Sequence, residues 1–261
     1  MWFDEKGLVG ILSTHIDDLK GCGTEKWQES LYEDLVKAFG KVTKEHTKFE
    51  HCGIMHVQNE DGSIEITQDH YISELKAIPL TQEQKADVSV GADDTLHGQF
   101  LALQGALGWA ANTRHDVAVY IGALQRNQQA PKIQDVINLN KVLKWVKRKK
   151  CTVFCKKLVP PLKILVISDS AFKREAGDSM ACKEHLLALA EKRLDTPGGG
   201  AHFLEAVSRR HKRVNRSTFV AETNGLADAL EPGKVLVMQF TEIVKGVCRA
   251  SDLANMANSG A

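Results

Sequence analysis

Charge of one sign is what this sequence lacks: in 261 residues, Lys and Arg total 34 against 33 Asp and Glu, a formal net charge of +1. A general attraction to polyanions is excluded, and any basic surface has to be local. Long apolar runs are missing too. Nothing approaches the about 18 residues of a membrane-spanning segment, and the opening MWFDEKG is acidic and short of apolar residues, so no signal peptide is expected. The expected location is cytoplasmic and/or nuclear, not secreted. The six cysteines (Cys22, Cys52, Cys151, Cys155, Cys182, Cys248) are scattered, and the one close pair has three residues between its members. That spacing suits neither a disulfide framework nor a zinc knuckle, so reduced, mostly buried thiols are expected. No internal repeat or low-complexity segment occurs. What is present is a globular balance, 43% hydrophobic and 26% charged, with core enough for one large domain or two small ones.

Leu8 to Ile16 reads as a strand, Asp17 and Asp18 as a turn, and Leu19 to Cys22 as a returning strand that Gly23 ends. Thr24 is a candidate N-cap, and Trp27, Leu31, Leu35 and Phe39 recur at helical spacing up to Gly40. Phe49 to Gln58 and Ser63 to Gln68 form a second hairpin across Asn59 to Gly62. A short helix is expected from Asp69 to about Ala77, before Pro79. Residues 80–98 are polar, acidic and without period, as a linker would be. Helices are expected over Phe100 to Ala111, Val117 to Gln125 and Ile133 to about Lys149. Pro160 and Pro161 mark a second boundary, and Ile164 to Ile167 is a buried strand ending at Ser168 and Asp169. Residues 181–194 are open between helix and strand, and their composition favours helix. From Arg216 a helix is expected, interrupted at Pro232 and Gly233, with a second reaching about Val244.

Two aspartates on a hairpin turn present carboxylates to divalent cations, and a two-metal site clamps attacking and leaving oxygens of phosphoryl transfer with ions about 3.5–4 Å apart. Asp-Asp alone is more often an ordinary acidic turn. Two basic clusters suit phosphate contact: Lys141, Lys144, Lys147, Arg148, Lys149 and Lys150, and Arg209, Arg210, His211, Lys212, Arg213 and Arg216. Such charges make binding salt-dependent, although solvated helix ends account equally well for the first cluster. Trp109 and Trp145 fall in apolar helical patterns and are expected in the core.

The segment GLVGILSTHIDDLKGCG, a helix ending in Phe39, then FEHCGIMHVQ and GSIEITQDHYISEL, resembles in order and spacing the stretch around the paired-aspartate hairpin of copia-type retrotransposon reverse transcriptases. FLALQGALGWAANTRHDVAVYIGALQRNQQAP is similar to the family's helical segment, with Gly105, Leu107, Thr113, Arg114 and Asp116 filling its G-x-L-x-x-x-x-x-T-R-x-D core. KILVISDSAF resembles the first strand of the family's ribonuclease H domain, and SRRHKRVNRSTFVAETNGLADAL its basic strand and S-T-x-x-A-E helix. His15 stands where the family usually has Tyr, and His115 where it often has Pro.

The resemblance implies an α+β chain: part of a reverse transcriptase palm (1–79), a linker (80–98), a helical thumb or connection (99–159) and a partial ribonuclease H-like domain (160–261), which wants a strand pair over 181–194. It implies Mg²⁺ or Mn²⁺ on Asp17 and Asp18 in the polymerase part and on Asp169 and Glu222 in the ribonuclease H part. Lys144, Lys147, Arg148, Arg209, Arg210, Lys212, Arg213 and Arg216 are its expected nucleic-acid contacts, with RNA, DNA or an RNA–DNA hybrid as partner. The family's further palm carboxylate and third ribonuclease H aspartate have no counterpart here, Asp252 lying too close to the helix of Glu222. The expectation is therefore a polyprotein fragment that is inactive without other Pol segments. The alternative is a nucleic-acid-binding remnant that is not an enzyme.

Overall fold

The computed structural model describes residues 1–171, 182–192, 199–211 and 215–246. Helices and antiparallel sheets are mixed along the chain. The residues divide into two compact units, Met1–Cys52 with Glu231–Ala261, and Gly53–Leu230.

In the first unit, β1 (Trp2–Asp4), β2 (Gly7–His15) and β3 (Asp18–Gly23) form an antiparallel sheet in that order. Helix α1 (Glu25–Phe39) follows. Thr24 caps it, its hydroxyl accepting from the Trp27 N–H at 3.4 Å, and Gly40 ends it at φ 81°. The sheet carries glycine where the Trp27 ring lies: a Cβ at Gly10 or Gly23 would collide with it. Trp2 packs on the same indole, centroids 5.1 Å apart. The rest of the apolar stripe of α1 remains open, and no residue of this helix is buried. A short strand, β4 (Lys48–His51), closes the unit's first segment.

The second unit holds the main core. Strands β5 (Ile54–Gln58), β6 (Ile64–Thr67) and β7 (Val153–Cys155) pair antiparallel in that order. The tight β5–β6 connection is fixed by Gly62 at φ 80° and by the Asp61 carboxylate, which accepts from the Ser63 N–H and hydroxyl. Helices α2 (Asp69–Glu74), α3 (Gln82–Ala86), α4 (Asp94–Ala110), α5 (Ala118–Gln125) and α6 (Ile133–Arg148) surround a cluster that includes Phe100, Leu107, Ile121, Val136 and Leu139. Each such side chain contributes about 1.5–3 kcal/mol on burial. Residues 80–98, expected as a linker, hold α3 and the start of α4. Their backbone is tied to the approach to α6, with Ile133 N–H on the Val90 carbonyl (2.9 Å) and Gln134 N–H on the Val88 carbonyl (3.0 Å).

A second sheet in this unit consists of β8 (Leu162–Ala171), β9 (Cys182–Glu191) and β10 (Ala201–Arg210), antiparallel with β9 in the centre. Of the helix and strand readings left open for this stretch, Cys182–Glu191 takes the strand. A strand bonded on both sides, with Leu187, Ala188 and Ala190 at or below 1% exposure, gains pairing and burial that outweigh local helix propensity. Helix α7 (Thr218–Lys245) is continuous, so Pro232 does not interrupt it. The proline costs it one internal hydrogen bond without ending it. The thiols also differ from expectation. Among the described cysteines only Cys182 is buried, Cys22 is exposed, and Cys52, Cys151 and Cys155 are half-buried.

Candidate functional site

The β2–β3 hairpin carries the expected carboxylates at its tip. His15 pairs with Asp18 across the ladder, so Ile16 and Asp17 are the two-residue turn. Ile16 sits at φ 53° and is 92% exposed. A β-branched residue in left-handed backbone is strained, and a two-residue turn is normally given to Gly or Asn. Asp17 and Asp18 are both exposed. Beside them opens a cleft of about 960 Å³, lined by the turn, by the apolar stripe of α1 and by residues 39–51, including Lys41, Lys44 and His46. Lys44 lies over the Tyr32 ring at 5.1 Å. The ring of His51, which also lines the cleft, meets the His15 ring edge-on at 6.3 Å. Asp17 and Asp18 are the residues here that could hold a divalent cation, which would need further oxygen ligands from outside the hairpin.

The ribonuclease H pair is arranged differently. Ser170 faces α7, since a Cβ at Gly225 would strike its hydroxyl. Neighbouring strand residues point to opposite faces, so Asp169 lies on the face away from α7. There it stands opposite Glu184 in the ladder. The Glu184 carboxylate accepts from the Ser208 hydroxyl at 2.9 Å, and Gly122 of α5 packs directly on Ser208. Glu222, half-buried, belongs to α7 on the other face. The register thus corrects the expectation that Asp169 and Glu222 share an ion. Among the described residues no group of three or more His, Cys, Asp or Glu side chains is placed to hold a metal. Asp252 lies outside the described residues.

On the α7 face the sheet carries a polar cluster that sequence reading missed. Lys183 is ion-paired with Asp228. His185 lies 4.0 Å from Glu205, and His211 is 3% exposed. The Nε2 atoms of both histidines, the Ser170 hydroxyl and the Asn215 amide nitrogen are buried without a hydrogen-bond partner. Burial holds the His185 imidazole below its ordinary range; Glu205 and Asp228 oppose this, while Arg209 and Lys183 add to it. Burial, then Lys183, lowers His211 against Asp228.

The basic residues are dispersed. Lys144 edges a cleft of about 450 Å³ floored by Ile78, Leu80 and Ile137. Lys147 donates to the Ser73 carbonyl at 2.8 Å, and Arg148 stands over the Trp145 ring at 5.4 Å. Arg209, Arg210 and Arg216 are exposed; Lys212 and Arg213 lie outside the described residues.

The T-R-x-D segment is a structural clasp. The Arg114 side chain, 2% exposed, bonds the Asp116 carboxylate twice and donates through Nη1 to the carbonyls of Val146 (3.0 Å) and Lys149 (2.8 Å). It thereby satisfies two carbonyls at the end of α6 that have no helical partner. The same hydrogen bonds hold the Asp116 carboxyl below its usual range. Thr113 is fixed by the buried Gln68, whose amide, in the orientation that satisfies both ends, donates to Thr113 Oγ1 (2.9 Å) and accepts from the Trp109 indole (3.3 Å). Trp109 and Trp145 are 42% and 43% exposed, a correction to their expected place in the core. Each has its N–H anchored to a polar side chain, Trp145 to Asp116 at 3.1 Å, which leaves part of the ring in solvent.

No family model, curated protein or solved structure matches this chain.

Proposed function

We propose that the chain is the hairpin-and-connection portion of a copia-type RNA-directed DNA polymerase with its associated ribonuclease H segment, and that these 261 residues by themselves contact nucleic acid without extending or cleaving it. The reading rests on the resemblance in motif order. One observation carries it: a strained, exposed Ile16 directly before two exposed carboxylates at a hairpin tip. Backbone strain of this kind costs about 1–3 kcal/mol and gathers at functional sites. A bound Mg²⁺ would offset the charge of a phosphate there, with Asp17 and Asp18 as its protein ligands. Lys20, Lys41 and Lys44 line the adjoining cleft together with Glu45 and Glu50, so the positive charge it offers a phosphate is local to the lysines. The separation of Asp169 from Glu222 by the sheet favours binding over ribonuclease chemistry in this chain.

The test joins primer extension on an RNA template, hydrolysis of an RNA–DNA hybrid, and binding to that hybrid, all with Mg²⁺ or Mn²⁺. Background turnover is expected, with weak binding that falls steeply from low to physiological salt. Replacing Arg209, Arg210, Lys212 and Arg213 together should flatten that salt dependence. Extension that vanishes in Asp17→Asn would show that the chain is itself a polymerase. A salt slope untouched by the quadruple replacement would assign that cluster to a solvated face.

A further inference from the structure

We propose that the exposed Trp145 ring is a stacking platform for a base of a single-stranded nucleic acid; the proposal rests on the nucleic-acid reading above and names the form of substrate that this surface takes. Three features carry it. The indole is 43% exposed, so part of its surface is available to a ligand, with the Arg148 guanidinium over the ring. It is also held still: its N–H is bonded to Asp116, which the buried Arg114 grips at two points, and Arg114 is itself bonded to the end of the same helix. A ring fixed before binding loses little freedom when a ligand arrives. Its surroundings are cationic. Arg148 lies over the ring, and Lys141 and Lys149, four positions to either side of Trp145 in the helix and its cap, fall on the same face. Asp116, the acid in contact with the indole, is already neutralised by Arg114.

A planar ring beside a guanidinium and free ammonium groups matches a base with its phosphates: the base stacks, the cations follow the backbone. Duplex bases have their faces occupied by neighbours, so the platform selects single strands. Stacking is sequence-tolerant because every base has a π-face.

The experiment measures fluorescence anisotropy of 5′-labelled U12 RNA, T12 DNA and a 12-base-pair duplex with the full chain at low and physiological salt. Trp145→Phe keeps a ring, Trp145→Leu removes it, and thermal melts confirm that each variant is folded. Trp145→Leu should weaken both single strands at least about fivefold, the low end of what one stacked base contributes, without changing the salt slope or duplex binding. Trp145→Phe should stay within about threefold of the parent chain. Equal affinity of Trp145→Leu and the parent would overturn the platform while leaving the nucleic-acid reading in place. Equal loss in both variants would show that an aromatic ring at this position gives no advantage over an alkyl chain, and would also overturn the platform. No binding of any oligonucleotide by the parent chain would remove the nucleic-acid reading and the platform with it.

Discussion

The Arg114 guanidinium and the Asp116 carboxylate meet at two points, Nε to Oδ1 at 2.8 Å and Nη2 to Oδ2 at 2.7 Å, with only the arginine buried. Arg114→Ala leaves the Val146 and Lys149 carbonyls without their donor and Asp116 without its counter-charge. A loss of roughly 1–3 kcal/mol is expected, the range for leaving a buried group without its hydrogen-bond partner, since the Asp116 carboxylate left behind is 45% exposed. Arg114→Lys should recover little, because an ammonium lacks the fork that reaches carboxylate and carbonyls together. Urea unfolding followed by circular dichroism measures both; a loss below about 1 kcal/mol for Arg114→Ala would refute the clasp.

The same pair gives an acid limb to stability. The folded-state carboxyl of Asp116 is lowered, chiefly by Arg114. Its contribution is therefore complete above the unfolded value of about 3.9 and is lost as pH falls from there through the lowered folded value. Asp116→Asn should be less stable than the parent at pH 7, with the difference shrinking at acid pH. A constant difference between pH 6 and pH 3 would contradict this.

A second, milder limb comes from His185 and His211, whose folded values lie below the ordinary range. Above about pH 6.5 both are neutral whether folded or unfolded; below it the unfolded chain takes up protons first, and stability falls. Melting temperatures should drop between pH 7.5 and 5.5, and the double variant His185→Gln, His211→Gln should reduce that drop. An unchanged drop would place its origin elsewhere.

Glycines separate by what surrounds them. At Gly225 a methyl group meets Ser170, and at Gly122 it meets the Ser208 backbone, whereas at Gly98 it meets nothing within 4 Å. Gly122→Ala and Gly225→Ala should each destabilise by about 1–3 kcal/mol. Gly98→Ala, within α4, should stabilise by about 0.5–1 kcal/mol. Thermal denaturation of the three variants tests the order.

At the hairpin tip, Ile16→Gly should stabilise the fold by roughly 1 kcal/mol, because glycine takes a positive φ without a Cβ clash. A destabilised variant would mean that the isoleucine side chain contributes more than its backbone strain costs.

Local signals were the legible ones. The β2–β3 hairpin, Thr24 as the cap of α1, Gly40 as its stop and the extent of α6 are each set by residues within a few positions, so spacing reveals them. β9 was hidden because its strand state depends on two partner strands 11 to 29 positions away in the ladder, while its own residues favour helix. The separation of Asp169 from Glu222 depends on a single-residue parity: the motif is in order, yet one step along β8 exchanges the sheet's faces. Trp145 carries an apolar helical pattern that ignores its indole N–H, and only the fold brings Asp116, 29 positions away, within reach.

The tethering of α6 also has a consequence during synthesis. Arg114 bonds the carbonyls of Val146 and Lys149, Asn140 bonds both backbone groups of Ile78 at 2.9 Å, and Ile133 and Gln134 bond back to Val90 and Val88. The bonds of Ile133 and Gln134 need residues up to 134, those of Asn140 residues up to 140, and those of Arg114 residues up to 149. At roughly 5–20 residues per second, the stretch from 78 to 149 spends several seconds with Ile78 and the Arg114 charge unmatched. In that interval the apolar faces of the half-made helical unit lack the part of their cover that α6 supplies.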